Sequence, residues 1–252
     1  HWGCALMRRG ELAERAARAA AILREEGPVQ LLRSVLAAAL SPVAVDWKLY
    51  LYEHSLEPRD RSRFLPRLDA WELRVLHSNA EADAAVADGF EDFRTVFQPA
   101  RRRLDAGAVA FCVYAGAEFA HVGWLAVNQA GKDAFDAIPY TVAFDAGQAC
   151  TGGTYTVPKF RGRRLMPYGY YERLEYLRSR GYVSSRNVVG VSNVASQKAH
   201  AGFNPIIHGI GHYRRVLWWR SWREELFPGG PCRGMPPVRH AGRAVQSDGG
   251  RA

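Results

Sequence analysis

The chain has 252 residues, 48% hydrophobic and 12% aromatic, which excludes general disorder and supplies enough apolar material for a sizeable core. A formal net charge of +9 calls for an anionic partner (a phosphorylated cofactor, a nucleic acid or an acidic membrane) unless it is only the surface of an Arg-rich chain. No apolar run reaches the ~18–20 residues that span a bilayer, and Cys4, Cys112, Cys150 and Cys232 contain no CxxC pair that would build a metal cage.

In chain order, Leu12, Ala16, Ala19 and Leu23 recur at helical spacing, and Gly27-Pro28 ends that helix. Val29, Leu32, Val35, Leu36 and Ala39 make a second apolar stripe, closed by Ser41-Pro42. Residues 1–45 are therefore expected to form a helical extension. It packs on the main domain, or on a second copy of the chain as a homodimer. A peripheral membrane helix is the alternative, with Arg8, Arg9, Arg15, Arg18, Arg24 and Arg33 beside the apolar faces and Glu11, Glu14, Glu25 and Glu26 diluting them. The start His1-Trp2-Gly3-Cys4 lacks the apolar core of a signal peptide, and free thiols suit a reducing compartment, so a cytoplasmic location is expected.

Residues 47–52 read as a short strand, 57–63 as a charged turn and 71–76 as a half-buried strand. Asn79 is placed to cap a helix over 80–86, and a further helix is expected over 90–104, ended by Gly107. Strands follow at 108–114 and 118–127, joined by a tight turn at Ala115-Gly116. Gly131, Pro139 and Gly147 break the pattern across 128–145, though 140–144 looks extended. A strand at 154–157 stops at Pro158, and the helix after it carries the stripe Met166, Tyr170, Leu174 and Leu177, with Gly181 at its C-cap. A buried strand at 187–191, a short helix at 195–201 and two closing strands at 206–210 and 213–219 complete the order. Residues 228–252, rich in Pro, Gly and Arg, are expected to be a flexible tail. The pattern is that of a mixed α/β chain around one sheet.

The segment Val157-Pro158-Lys159-Phe160-Arg161-Gly162-Arg163-Arg164-Leu165-Met166 carries the chemistry. A strand stops, a basic glycine-containing turn follows and a helix begins. The first N–H groups of a helix have no intrahelical acceptor, the helix dipole adds partial positive charge, and Arg161, Arg163 and Arg164 add full charge. Together these make an anion site of pyrophosphate size. The plainer alternative is a strand–helix junction that is basic and nothing more.

This stretch resembles the donor-binding motif of the GNAT superfamily of N-acyltransferases. In that motif Gln or Arg, two residues, Gly, one residue and then Gly or Ala follow a Val-x-Pro strand end. Val157, Pro158, Phe160, Arg161, Gly162 and Arg163 fit, and Gly181-Tyr182, Asn193-Val194-Ala195-Ser196 and Gly202-Phe203 follow in the family's order. Two positions depart. Lys159 stands where Gln or Arg is usual, and Arg164 where Gly or Ala lets the backbone approach the phosphates. A large side chain at 164 either crowds the donor or adds a second charged contact.

The resemblance implies a GNAT-like, mixed and mostly antiparallel central sheet flanked by helices over 46–227. It implies direct attack of an amine on the acyl carbon of an activated donor, with acetyl-CoA or another acyl-CoA as co-substrate and no metal. The acceptor is then an amine of a small molecule, an amino sugar or an amino acid derivative. The donor would be held by the main chain of Tyr155, Thr156 and Val157, facing the acyl oxygen, by Lys159, Arg161, Gly162, Arg163, Arg164 and Leu165, and by Asn193. His200 falls near the family's leaving-group tyrosine and would donate a proton near neutral pH; the bland role is a surface or helix-capping histidine. His121 and Asp145 are the candidate general bases, with Glu118 read as a solvated turn residue. No Gly-x-Ser-x-Gly elbow supports a covalent serine mechanism.

Tyr213, Arg214, Arg215, Trp218, Trp219, Arg220, Trp222 and Arg223, with Arg101, Arg102 and Arg103, fit either of two pictures. One is a nucleic-acid surface. The preferred one is a strand whose aromatics are buried while its arginines face solvent. Beside acyl-CoA transfer stand two alternatives: an aminoacyl-tRNA-dependent transferase, bringing tRNA as a partner through the basic surface, and a non-catalytic binding module on the same fold.

Overall fold

The alternating tyrosines of 47–52 belong to a strand longer than the sequence pattern implied. In the computed structural model, which describes residues 44–236, β1 runs Ala44–Ser55. Tyr50 and Tyr52 lie on one face of it and Leu49 and Leu51 on the other, all buried. The described residues divide into a larger unit, 48–212 with 222–236, and a smaller one, 44–47 with 213–221.

The charged turn contains a 3-10 turn at Arg61–Phe64, capped by Asp60. After β2 (Glu72–Leu76) comes α1 (Asn79–Ala87), whose cap is Ser78 rather than Asn79. The Ser78 hydroxyl accepts from the Glu81 N–H at 3.2 Å, while the Asn79 amide donates to the Arg101 carbonyl and the Asp105 carboxylate. The helix expected over 90–104 is split into α2 (Phe93–Val96) and α3 (Ala100–Asp105). Pro99 causes the break: it has no N–H to continue the ladder and disfavours helical backbone at the residue before it. β3 (Val109–Ala115) and β4 (Glu118–Ala126) form the expected hairpin, with Gly116 at φ 61° in the turn.

Between β4 and β5 lies a helix the sequence concealed, α4 (Gln129–Phe135), capped by Asn128. Its Gly131 looked like a breaker. It is instead a close-approach position, where a Cβ would lie 3.1 Å from Ala126 and 3.2 Å from the Gly107 carbonyl. Residues 140–144 join no strand; a 3-10 turn at Phe144–Ala146 leads into β5 (Gln148–Thr156). Then follow α5 (Leu165–Ser179), β6 (Ser184–Gly190) and α6 (Val194–Ala201). One strand, β7 (Ile206–Val216), replaces two expected short ones, and a turn at Leu217 and Trp218 joins it to β8 (Trp219–Leu226). β9 (Cys232–Arg233) pairs with Ile206 and Ile207, so the first part of the expected flexible tail is held against the sheet. The helices expected within 1–45, Cys4 and the tail beyond 236 lie outside the described residues.

In the larger unit the strands lie in the order β2-β3-β4-β5-β6-β1-β7-β8, with β9 beside β7. β5 and β6 are parallel, and the pairs β1/β6, β2/β3, β3/β4, β4/β5 and β7/β9 are antiparallel. The fold is a mixed, mostly antiparallel sheet flanked by helices. Ala110, Cys112, Tyr114, Val122 and Trp124 pack with α1–α3 on one face. Val109, Phe111, Leu125 and Ala149 pack with Tyr170, Tyr171, Leu174 and Leu177 of α5 on the other. Each fully buried large side chain contributes about 1.5–3 kcal/mol, so these two layers fix the ends of β5 and α5 that build the site.

Candidate functional site

The parallel pair β5/β6 is short. Residues pair at Gln148↔Ser184, Ala149↔Ser185 and Cys150↔Arg186, and no pairing continues beyond. From Thr151 onward β5 keeps only β4 as a neighbour, so its outer edge faces a gap. The Val157 N–H donates to the Ala120 carbonyl at 3.0 Å, which makes Ala120↔Val157 a hydrogen-bonded pair. Hydrogen-bonded and non-bonded pairs alternate along an antiparallel ladder. His121↔Thr156 is therefore a non-bonded pair, and the Thr156 N–H points away from β4 into the gap. Of the three main-chain groups expected to meet an acyl oxygen, Thr156 is free to do so. Val157 is committed to Ala120, and Tyr155, paired with Val122 one step beyond the non-bonded pair, turns its main-chain N–H toward β4.

The turn after β5 has the expected strand–turn–helix form. Gly162 at φ 77° and Arg164 at φ 62° both adopt left-handed backbone, and α5 begins at Leu165 without a side-chain cap. The first intrahelical bond is Tyr168 N–H to the Arg164 carbonyl. The amides of Gly162, Arg163, Arg164, Leu165 and Met166 have no acceptor among the described residues. Pro167 fits here because the third helical position needs no N–H.

A cleft of about 350 Å³ opens beside these amides, lined by Thr156, Phe160, Arg161, Gly162, Arg164, Leu165, Met166, Pro167, Ala195 and Ala199. Its polar end is the turn. Its walls are apolar side chains from α5 and small residues from α6. The structure thus brings together Thr156, Arg161, Gly162, Arg164 and Leu165 of the expected donor site.

The other expected donor contacts are placed differently. Lys159, after β5, pairs with Glu118 at the start of β4 and does not line the cleft. Arg163 is exposed, and its carbonyl accepts from the Arg67 N–H. The Asn193 side-chain oxygen is used as the cap of α6, accepting from the Ser196 N–H at 3.0 Å. Arg164 lines the cleft and has a further contact that the sequence did not suggest. Its guanidinium donates to the Arg63 carbonyl, so it ties the turn to the Arg61–Phe64 segment. Its backbone takes the left-handed conformation that a small residue would adopt without strain.

None of the three expected proton-transfer residues has the setting foreseen for it. Asp145 is exposed in the 3-10 turn at the start of β5, the end of that strand opposite the cleft. His121 is fully buried between β4 and α5, its Nδ1 lying 2.7 Å from the Thr156 hydroxyl, and burial followed by the charge of Arg173 pushes its pKa down to about 3. His200 is buried on α6, 3.4 Å from the Asn187 amide, and the same two causes lower it to about 3. Both are neutral imidazoles near pH 7, so neither donates a proton as an imidazolium there.

At the closed end of the β5/β6 gap lies a polar cluster that the sequence did not advertise. The Thr151 hydroxyl is 2.8 Å from Ser185 Oγ and 3.0 Å from Tyr170 Oη. The Tyr170 ring stacks edge-on against His54 at 4.9 Å and His200 at 4.6 Å, and Tyr52 lies 5.5 Å from His200. Burial raises the Tyr170 phenol to about 12 and, with the neighbouring His200, holds His54 well below the usual histidine value. The Tyr52 hydroxyl, both His54 ring nitrogens, the Asn187 carbonyl and His200 Nδ1 are buried with no hydrogen-bond partner among the described residues. Unpaired polar groups in a core are costly, and here they gather around the Tyr170, His54 and His200 rings. Tyr170 was legible only as a member of a helical stripe, and His54 fell just beyond the strand read at 47–52.

Arg173 stands beside the Tyr170 ring of this cluster, fully buried, with no carboxylate partner among the described residues. Its guanidinium donates to the Trp124 and Gly152 carbonyls at 3.1 and 3.3 Å, where the β4–β5 register shifts. It fills the space that a side chain at Gly123 would need.

No family model and no curated protein matches the chain. Among solved structures it is similar to a GCN5-related N-acetyltransferase from Sphaerobacter thermophilus (14% identity, 79% of this chain and 57% of that one, TM-score 0.40). It is also similar to a tandem GNAT protein from the clavulanic acid biosynthesis pathway (16%, 76% and 58%, TM-score 0.42). A functionally unknown conserved protein from Staphylococcus epidermidis matches too (10%, 73% and 67%, TM-score 0.42). The chain spans little more than half the length of the two transferase structures. No group of His, Cys, Asp or Glu able to hold a metal occurs among the described residues, and no described helix is long and apolar enough to cross a membrane. Cys112 and Cys150 are buried free thiols and Cys232 is half-buried.

Proposed function

We propose that the protein is an N-acyltransferase that moves an acyl group from an acyl-CoA-type thioester directly to the amine of a small-molecule acceptor. The observation that carries this reading is the cleft beside the five free amides of Gly162–Met166. A diphosphate accepts hydrogen bonds from consecutive N–H groups and takes charge from Arg161. The apolar wall of Phe160, Leu165, Met166 and Ala199 suits the chain that follows it. In this reading the Thr156 N–H polarises the acyl oxygen, where negative charge develops as the amine attacks. The amine then loses a proton and the leaving thiolate gains one. The hydroxyl chain Ser185–Thr151–Tyr170 supplies groups able to pass protons without carrying charge.

The alternative with aminoacyl-tRNA as donor drew on the +9 charge, the arginine clusters and Arg164 as an irregularity of the donor turn. That residue has a use in bracing the turn, so acyl-CoA is the favoured donor. A cytoplasmic setting, rich in acyl thioesters, goes with this reading. The test is release of free thiol from acetyl-CoA and longer acyl-CoAs in the presence of a panel of primary amines, with and without ribonuclease. Amine-dependent thiol release that survives ribonuclease supports the reading. Product formed only with charged tRNA, and lost on ribonuclease treatment, refutes it.

A further inference from the structure

The smaller unit ends in a feature that acyl transfer does not use. The β7–β8 turn presents four consecutive apolar side chains to solvent: Val216 (47% exposed), Leu217 (52%), Trp218 (86%) and Trp219 (56%). Leu217 sits at φ 54°. A bulky aliphatic residue in left-handed backbone is uncommon, where Asn or Gly would serve the turn better. The side chain is therefore kept at a conformational cost. The arrangement is the tip of a two-residue turn between strands, exposed on four consecutive side chains, so it fits a deformable partner better than a preformed pocket. Arg214, Arg215 and Arg220 flank the tip, and Asp46, paired with Arg214 at 3.3 Å, is the acidic side chain beside them. Arg220 makes no ion pair among the described residues. The local balance among the described residues favours an anionic surface.

We propose that this hairpin tip inserts into the interfacial layer of an anionic lipid bilayer, with the arginines at headgroup level. Indole rings suit that boundary because they combine an apolar body with one N–H donor. Guanidinium groups a residue or two behind them meet lipid phosphates. A nucleic acid would use the rings of Trp218 and Trp219 for stacking but has no use for exposed Val216 and Leu217, which a bilayer buries favourably.

The test uses the full chain and sedimentation with vesicles of pure phosphatidylcholine or of phosphatidylcholine with half phosphatidylglycerol. A double variant, Leu217→Asn with Trp218→Ser, removes the apolar tip at exposed positions, and asparagine tolerates the backbone at 217. Circular dichroism and a thermal melt check that the variant folds. The expected result is binding to the anionic vesicles that weakens at least about tenfold in the double variant, and about tenfold or more on neutral vesicles. A single-site variant, Arg220→Ala, should weaken anionic binding alone. The proposal is overturned if the wild-type chain fails to sediment with anionic vesicles, or if the folded double variant sediments as well as wild type. It is equally overturned if the tip variant loses affinity for single-stranded oligonucleotides or for a second copy of the chain while vesicle binding is absent.

Discussion

His121 Nδ1 lies 2.7 Å from the Thr156 hydroxyl across a non-bonded pair of the β4–β5 ladder, and this contact fixes the residue whose amide faces the cleft. Side chains approach most closely at non-bonded pairs, which is why a ring and a hydroxyl reach each other there. Replacing His121 by Phe would leave the Thr156 hydroxyl without its partner and loosen the end of β5. Stability should fall by about 1–3 kcal/mol in urea titrations. Affinity for CoA should fall with it, whereas His121→Asn, which restores a polar partner, should recover part of both.

The buried histidines make stability depend on acid. His121 and His200 have folded pKa values near 3 and His54 is also depressed, all below the unfolded value of about 6.5. As pH falls below about 6.5 the unfolded chain takes up protons that the folded chain refuses, so stability is full above that value and is lost progressively toward pH 3. Each such histidine contributes a slope of about 1.4 kcal/mol per pH unit inside this window. Thermal melts between pH 8 and pH 5 should be flat at the alkaline end and fall steeply at the acid end. The His121→Asn variant should have the shallower acid limb.

Gly123 and Arg173 should prove inseparable. A Cβ at Gly123 would lie 2.5 Å from the Arg173 guanidinium carbon, and that guanidinium has three carbonyl acceptors, of Gly169, Trp124 and Gly152, holding it in place. Gly123→Ala should therefore cost about 1–3 kcal/mol by overpacking, measured by denaturant unfolding. Combining it with Arg173→Met should cost less than the sum of the two single changes, because the clash is gone.

Much of the architecture was open to reading from the pattern of residues. The alternation at Tyr50 and Tyr52, the stripe Tyr170-Leu174-Leu177 and the breaker-rich turn around Gly162 each have one local solution. What stayed hidden was set by contacts remote in sequence. α4 was masked because Gly131 is small for packing reasons, not because it breaks a helix. The start of β5 was masked by Gly152 and Gly153, whose small size makes room for the Phe135 ring and, at Gly153, the Arg103 side chain. The candidate site divided in the same way. The anion-binding turn was visible because backbone and charge there are consecutive in the chain. The polar cluster draws His54, Thr151, Tyr170, Ser185 and His200 from five elements, and no spacing announces it. His200 was read as a proton donor near neutral pH and His121 as a general base because a sequence carries no measure of their burial.

Arg164 offers a test of the turn's backbone. Its left-handed conformation suits glycine, while its side chain donates to the Arg63 carbonyl. Arg164→Ala should lose the brace and keep the strain. Arg164→Gly should lose the brace and relieve the strain, leaving it about 1 kcal/mol more stable than the alanine variant. Thermal melts of the two variants side by side give the order.

Calorimetric titration of the full chain with CoA tests the central claim most directly. The account predicts one binding site. It predicts that Arg161→Ala weakens binding at least about tenfold, as expected for a lost charge-assisted hydrogen bond. It predicts that Gly162→Glu abolishes binding: no atom lies within 4 Å of the new Cβ, but a carboxylate would stand before the five free amides at φ 77°. The absence of any binding heat with CoA at about 1 mM, or unchanged affinity in the Gly162→Glu variant, would contradict it.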